Sequence, residues 1–219
     1  LEEILSEWIS NNINKYKINN VILSGGVAQN IKACKTIAEL NNIDKLWVGP
    51  ISGDGSLAVG AAWQIHRKKS SNNGKIAGLP TVYLGTEHTK ENVIEAISKY
   101  DLIDKFNIID SYDIKAIAHW IEHGYVVARF SGRLEFGQRA LGNRSLLADP
   151  RKWESVEKIN YKIKYRDFWM PFTPSMMIEE AERLLVNPKK IYSPYMTMAF
   201  DLKPEFHQLL PAVIHPADK

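Results

Sequence analysis

The 219-residue chain has one cysteine, no apolar run long enough to cross a bilayer, and little excess of either charge. A lone Cys34 excludes an intramolecular disulfide framework and suits a reducing, cytoplasmic compartment. The short apolar runs leave no membrane-spanning helix. The acidic, amphipathic opening LEEILSEWISNN is not a signal peptide. With 28 Lys and Arg against 25 Asp and Glu, the net charge is +3, which argues against a general nucleic-acid binder. Two catalytic patterns are also missing, since neither a GxGxxG fingerprint nor a Ser-His-Asp arrangement is legible. His119 and His123 stand at i, i+4 without an acidic third ligand, a weak case for a metal.

What is present reads as two halves. In the first, helix 1–17 carries Ile4, Leu5, Trp8 and Ile9 at helical spacing and leads to a strand, Val21–Leu23. Ser24-Gly25-Gly26 follows, then a helix from about Ala28 to Leu40 that holds Cys34 as a buried structural thiol. A strand at Leu46–Val48, the turn Ser52-Gly53-Asp54-Gly55 and a helix over Ser56–Arg67 repeat the pattern. Strand, glycine turn and helix occurring twice predict a parallel α/β layer. So short a layer is thin for an independent core, and its exposed face is compatible with a homodimer. Lys68–Gly78, rich in Ser, Asn, Gly and Lys, reads as a linker. In the second half we expect strands at Thr81–Leu84, Phe106–Ile109, Tyr125–Phe130 and Tyr195–Leu202. Helices are expected over Lys90–Tyr100 with Thr89 as N-cap, Ile114–His123 ending at Gly124, Trp153–Lys164 and Glu179–Val186.

The most informative stretch is Ser131–Arg151, SGRLEFGQRALGNRSLLADPR. It sets Arg133, Arg139, Arg144 and Arg151 among Gly132, Gly137 and Gly142. Glycine permits positive φ and close backbone approach. Arginine offers a planar, permanently charged fork for phosphate and carboxylate oxygens. Ser131–Arg166 holds nine Lys or Arg against four Asp or Glu, so the positive charge is concentrated here. A solvated basic face would not need the interleaved glycines and the anchors Leu134, Phe136, Leu141 and Leu146; an anion-holding loop would. Lys162, Lys164 and Arg166 read either as a charged helix end or as a second wall of the anion pocket. Gly25-Gly26 before a helix exposes N–H groups to an anion or is a tight turn. Asp54 between glycines is an N-cap or a carboxylate projected toward a metal ion or a substrate hydroxyl.

These residues resemble a known family. Ser131–Arg151 is similar to the G-R-x-E-F-G-x-R-A-L-G-N-R-S-x-x-A-D-P-R signature of the O-carbamoyltransferases, which include nodulation-factor and antibiotic carbamoyltransferases. Ile159-Asn160 through Arg166, Pro171–Pro174 and Ser193–Met196 resemble further family runs. So do Gly25–Asn30 and Gly53–Ser56 with Gly60–Ala62. The resemblance implies an α/β protein with an α+β second half. Residues 1–68 would be the C-terminal part of an actin/Hsp70-like ATPase-fold lobe and 69–80 a linker. Residues 81–219 would be a YrdC/Sua5-like twisted-sheet domain, truncated at its end. The implied activity joins carbamoyl phosphate and ATP into carbamoyl-adenylate, then passes the carbamoyl group to a substrate hydroxyl. By resemblance, Arg133, Arg139 and Arg144 are catalytic, while Asn143, Ser145, Lys164 and Arg166 bind substrate. Gly25, Gly26 and Asn30 meet nucleotide, and Asp54 holds a divalent metal, iron or magnesium. Met170 stands where the family carries Arg. The family's His-rich metal motif and its Thr-Ala-Arg-Pro-Gln stretch are not found. The expectation is therefore a segment of a longer enzyme, by itself incomplete for full activity. Two other readings stay open. One is a tRNA-binding or tRNA-modifying module with Tyr161, Tyr165 and Trp169 as stacking groups. The other is a sugar-kinase-like ATPase, which leaves the arginine loop unexplained.

Overall fold

The computed structural model describes residues 1–70, 78 and 81–215. The chain forms two compact units: residues 1–83, 136–139 and 186–201 in the first, and 84–135, 140–185 and 202–219 in the second. The expected linker at 69–80 falls mostly outside the described residues, although its first residue is helical.

In the first unit, α1 (Glu2–Tyr16) leads to β1 (Asn20–Leu23), α2 (Ile31–Glu39), β2 (Lys45–Val48) and α3 (Gly55–Lys69). β1 and β2 run parallel, with Val21 beside Leu46 and Leu23 beside Val48, as the repeated strand–turn–helix pattern predicts. One apolar cluster joins Ile9 and Ile13 of α1 to Ile37 and Ile43. A second joins Ala28, Cys34, Ala38, Val48 and Met198. Cys34 is buried, and burial pushes its thiol pKa up, which fits a structural thiol. Because strand side chains alternate, Ile22 and its register partner Trp47 fall on the other face, 72% and 55% exposed.

In the second unit, α4 (Lys90–Lys99) begins at Thr89, whose hydroxyl accepts from the Asn92 N–H while the Asn92 side chain accepts from the Thr89 N–H. This is a reciprocal capping box. α5 (Ile114–Glu122) is followed by Gly124 at φ 83°, the left-handed conformation that glycine tolerates at a helix end. β3 (Val127–Phe130) pairs antiparallel with β4 (Arg144–Leu147), Phe130 facing Arg144. The glycine–arginine stretch is therefore the connection of a hairpin. α6 (Trp153–Glu157) continues as a seven-residue π-helical segment, Lys158–Lys164, closed by Tyr165 at φ 49°. α7 (Ile178–Leu184), the two-residue strands β5 (Leu185–Val186) and β6 (Asp201–Leu202), and 3-10 turns at Pro204–Phe206 and Pro211–Val213 follow.

Several expectations are corrected. Thr81–Leu84 and Phe106–Ile109 are not strands, and of Tyr195–Leu202 only the last two residues are. β-branched and aromatic content favours a strand only where a neighbouring strand supplies partners. The helix expected from Ala28 starts at Ile31, after a 3-10 turn over Gly26–Gln29. The architecture is mixed α/β with two-stranded sheets; a larger twisted sheet is not seen among the described residues.

Candidate functional site

The glycine–arginine connection is irregular backbone, so its N–H and C=O groups must find partners outside a ladder. Glu135 supplies three of them. Its Oε1 accepts from the N–H groups of Leu141, Asn143 and Arg144 at 2.8, 2.7 and 3.0 Å. The side chain is 5% exposed. Burial alone would raise its pKa, but the N–H groups of its own residue, Leu141, Arg144 and Asn143 prevail and hold it below the usual glutamate value. Asn143 adds a second tie, its Nδ2 donating to the Arg133 carbonyl at 2.8 Å and its Oδ1 accepting from Arg129 at 3.1 Å. Arg129 also donates to the Gly142 carbonyl. The Gly142 N–H donates to Ser145 Oγ, 3.0 Å. Gly132, Gly137 and Gly142 all take positive φ, 68°, 124° and 111°. A side chain at Gly132 would also press on the Asn143 amide.

This scaffold separates cations that look alike in the sequence. Arg151 is committed: its Nε and Nη2 grip Asp149 at 2.9 and 2.8 Å, and its N–H donates to Asp149 Oδ1. Asp149 is 2% exposed, and the Arg151 hydrogen bonds hold its carboxyl below the usual aspartate value. Arg166 is also engaged. Its Nε donates to Asn160 Oδ1 at 2.6 Å and its guanidinium lies over the Phe172 ring, while burial lowers its pKa. Asn160 is fully buried and bonds the carbonyls of Phe168 and Met170, so Met170 is held by its backbone. Lys152 and Lys158 donate to the Glu122 and Gly124 carbonyls at the end of α5. By contrast, the side chains of Arg139, Arg144 and Lys164 make no hydrogen bond or ion pair among the described residues. Arg133 makes one, to the Leu84 carbonyl at 3.2 Å.

Of the residues singled out from sequence, Arg133, Asn143, Arg144, Ser145, Lys164 and Arg166 belong to the second unit and Arg139 to the first. In the first unit, the two glycine turns meet at the carboxyl ends of β1 and β2, where ligands bind in parallel α/β layers. The Gly25 N–H donates to the Ser52 carbonyl at 2.5 Å. Gly25 has φ 99°, and nothing stands within 4 Å of a side chain built there or at Gly26. Gly137 lies against Ile51 and the Pro50 carbonyl in the same unit. Asn30 caps α2, its Oδ1 accepting from Lys32 and Ala33, which leaves its Nδ2 for a ligand. Asp54 precedes α3, is exposed and makes no capping bond. Among the described residues no group of three or more His, Cys, Asp or Glu could hold a metal ion. Asp54 alone does not make a metal site, and the His119–His123 pair lacks a third ligand. Sequence reasoning missed Arg129, Glu135, Asp149 and Asn160. For Glu135 and Asp149 the available signal was an acidic residue inside a basic, glycine-rich run.

Residues 1–63 match the family description Carbamoyltransferase N-terminus, and residues 118–219 match Carbamoyltransferase C-terminus. An uncharacterized protein of Methanocaldococcus jannaschii is 38% identical over 98% of this chain and 40% of its own length. Nodulation protein NolO of Bradyrhizobium diazoefficiens is 32% identical over 98% of this chain and 39% of its own length. Nodulation protein NolNO of Sinorhizobium fredii is 30% identical, over 98% and 32%. The chain thus spans about two fifths or less of the length of these relatives. No described helix is long and apolar enough to cross a membrane.

Proposed function

The chain belongs to the carbamoyltransferase family, and from that premise we propose that it takes part in moving a carbamoyl group from carbamoyl phosphate to a substrate hydroxyl, by way of carbamoyl-adenylate. Water first takes the phosphoryl group, leaving carbamate. A carbamate oxygen then bonds to the α-phosphorus of ATP while the bond to the β-phosphate breaks and pyrophosphate leaves. In the second stage the acceptor oxygen bonds to the carbamoyl carbon, AMP departs, and the hydroxyl proton passes to solvent or a nearby base.

The single observation behind this reading is Arg144. Its backbone is fixed by the strand register with Phe130 and by Glu135, while its guanidinium has no partner among the described residues. A permanently charged fork that no protein group among the described residues occupies is open to the phosphate or carbamoyl oxygens on which negative charge develops. Arg133 and Lys164, in the same unit as Arg144, are further cations available to phosphate and carbamoyl oxygens, and Ser145 keeps a hydroxyl proton to donate. The Gly25-Gly26 turn, open above its backbone, leaves room for a nucleotide phosphate to approach. No step is routed through a metal. The matches give no support to the tRNA reading. The test is pyrophosphate release from ATP by the full-length protein. Release that requires carbamoyl phosphate, and that falls about a hundredfold in Arg144→Ala, is the expected result. Absence of carbamoyl-phosphate-dependent release in the wild type overturns the proposal.

A further inference from the structure

The hairpin connection contains one acidic residue, and it lies at the base of the excursion. The chain leaves at Glu135 and returns at Leu141, and the Glu135 carboxylate closes that gap by collecting three backbone N–H groups on one oxygen. Its other oxygen, Oε2, is buried with no hydrogen-bond partner among the described residues. Burying a carboxylate with one oxygen unsatisfied is costly. A neutral acceptor would close a loop at less cost. What the charge adds is shorter, stronger N–H bonds, and therefore a more sharply defined backbone at Asn143 and Arg144. Arg144 is the residue where that definition matters, because its exposed side chain has no hydrogen-bond or ion-pair partner among the described residues while its backbone is pinned between Phe130 and Glu135.

We propose that Glu135 is a positioning residue: it clasps the backbone of Leu141, Asn143 and Arg144 so that the Arg144 guanidinium is held where it meets the anionic group of carbamoyl phosphate. The inference rests on the function proposed above and adds to it a residue that does not itself touch the ligand. Two consequences separate positioning from simple support of the fold. Glu135 acts through Arg144, so removing Glu135 costs little once Arg144 is gone. Reach also matters, so Glu135→Gln, which keeps the length and an acceptor, retains more affinity than Glu135→Asp, which keeps the charge but falls short of the three N–H groups.

The experiment is calorimetric titration of carbamoyl phosphate into the full-length protein as wild type, E135Q, E135D, R144A and the double variants E135D/R144A and E135Q/R144A, with a melting curve for each. We expect E135D to bind about tenfold or more weakly than wild type, E135Q to lie between, and all to melt cooperatively. Each double variant should bind like R144A alone, the non-additivity of residues that work as a unit. Wild type that binds, with an E135D loss that persists undiminished in the R144A background, overturns the inference while leaving the function standing. So does an E135D affinity equal to wild type. Wild type that does not bind carbamoyl phosphate overturns the function and the inference with it. Should E135D fail to fold, E135Q alone and with R144A carries the same comparison.

Discussion

Arg151 turns back on Asp149 with both its backbone N–H and its guanidinium, whereas the Arg144 guanidinium makes no hydrogen bond or ion pair among the described residues. Opposite consequences follow for the two alanine variants. Arg151→Ala strands a buried carboxylate and is expected to lower unfolding free energy by about 1–3 kcal/mol, read from urea midpoints, with carbamoyl phosphate affinity unchanged. Arg144→Ala should leave the midpoint in place and weaken binding. The two buried carboxylates also set a pH dependence. Both Glu135 and Asp149 have pKa values below their ordinary ones in the folded protein. Their contribution is complete above the unfolded values, about 4. It is lost as pH falls through the lower folded values, because the unfolded chain takes up the protons first. Urea midpoints should therefore be flat from pH 7 to about 5 and fall below about 4, the fall being smaller in Arg151→Ala. At this scale the basic, glycine-rich run was legible in sequence, and the three loop glycines do take positive φ. The division of labour among the arginines was not legible, because it depends on Asp149, Asn160 and Glu135 arriving beside particular nitrogens.

Helix ends show the same economy of lysine. Lys189 donates to the carbonyls of Ala38, Leu40 and Ile43 at the end of α2. Lys152 and Lys158 do so at the end of α5, and Lys203 at Glu182 and Arg183 in α7. A cation over the last turn satisfies orphan carbonyls and meets the negative end of the helix dipole. Lys189→Met is expected to cost about 1 kcal/mol and to speed amide exchange in the last turn of α2 more than in α5. The elements legible in sequence were those carrying their own signals: the Thr89 cap, the Gly124 stop and the two glycine turns after short apolar strands. Thr81–Leu84 and Phe106–Ile109 misled, because β-branched residues carry no information about whether a partner strand is available. Phe106, Ile108 and Ile109 are exposed and form no ladder. The π-helical stretch after α6 had no sequence signal either; it ends where Asn160 accepts from Arg166.

For the whole molecule, a ligand that binds only the folded state raises stability by an amount fixed by its concentration relative to Kd. Carbamoyl phosphate and ATP, each at about a hundred times Kd, should each add about 2.7 kcal/mol and raise the melting temperature of the full-length protein. Inorganic sulfate at the same ionic strength should add less. The proposed chemistry requires the carbamoyl ligand to meet a held but unpartnered cation, and one measurement addresses this directly. Carbamoyl phosphate is titrated calorimetrically into wild-type full-length protein and into Arg144→Ala. The account predicts saturable binding to the wild type and a loss of at least tenfold in the variant, with unchanged melting. Equal affinity in the two proteins, or no heat of binding in the wild type, would contradict it.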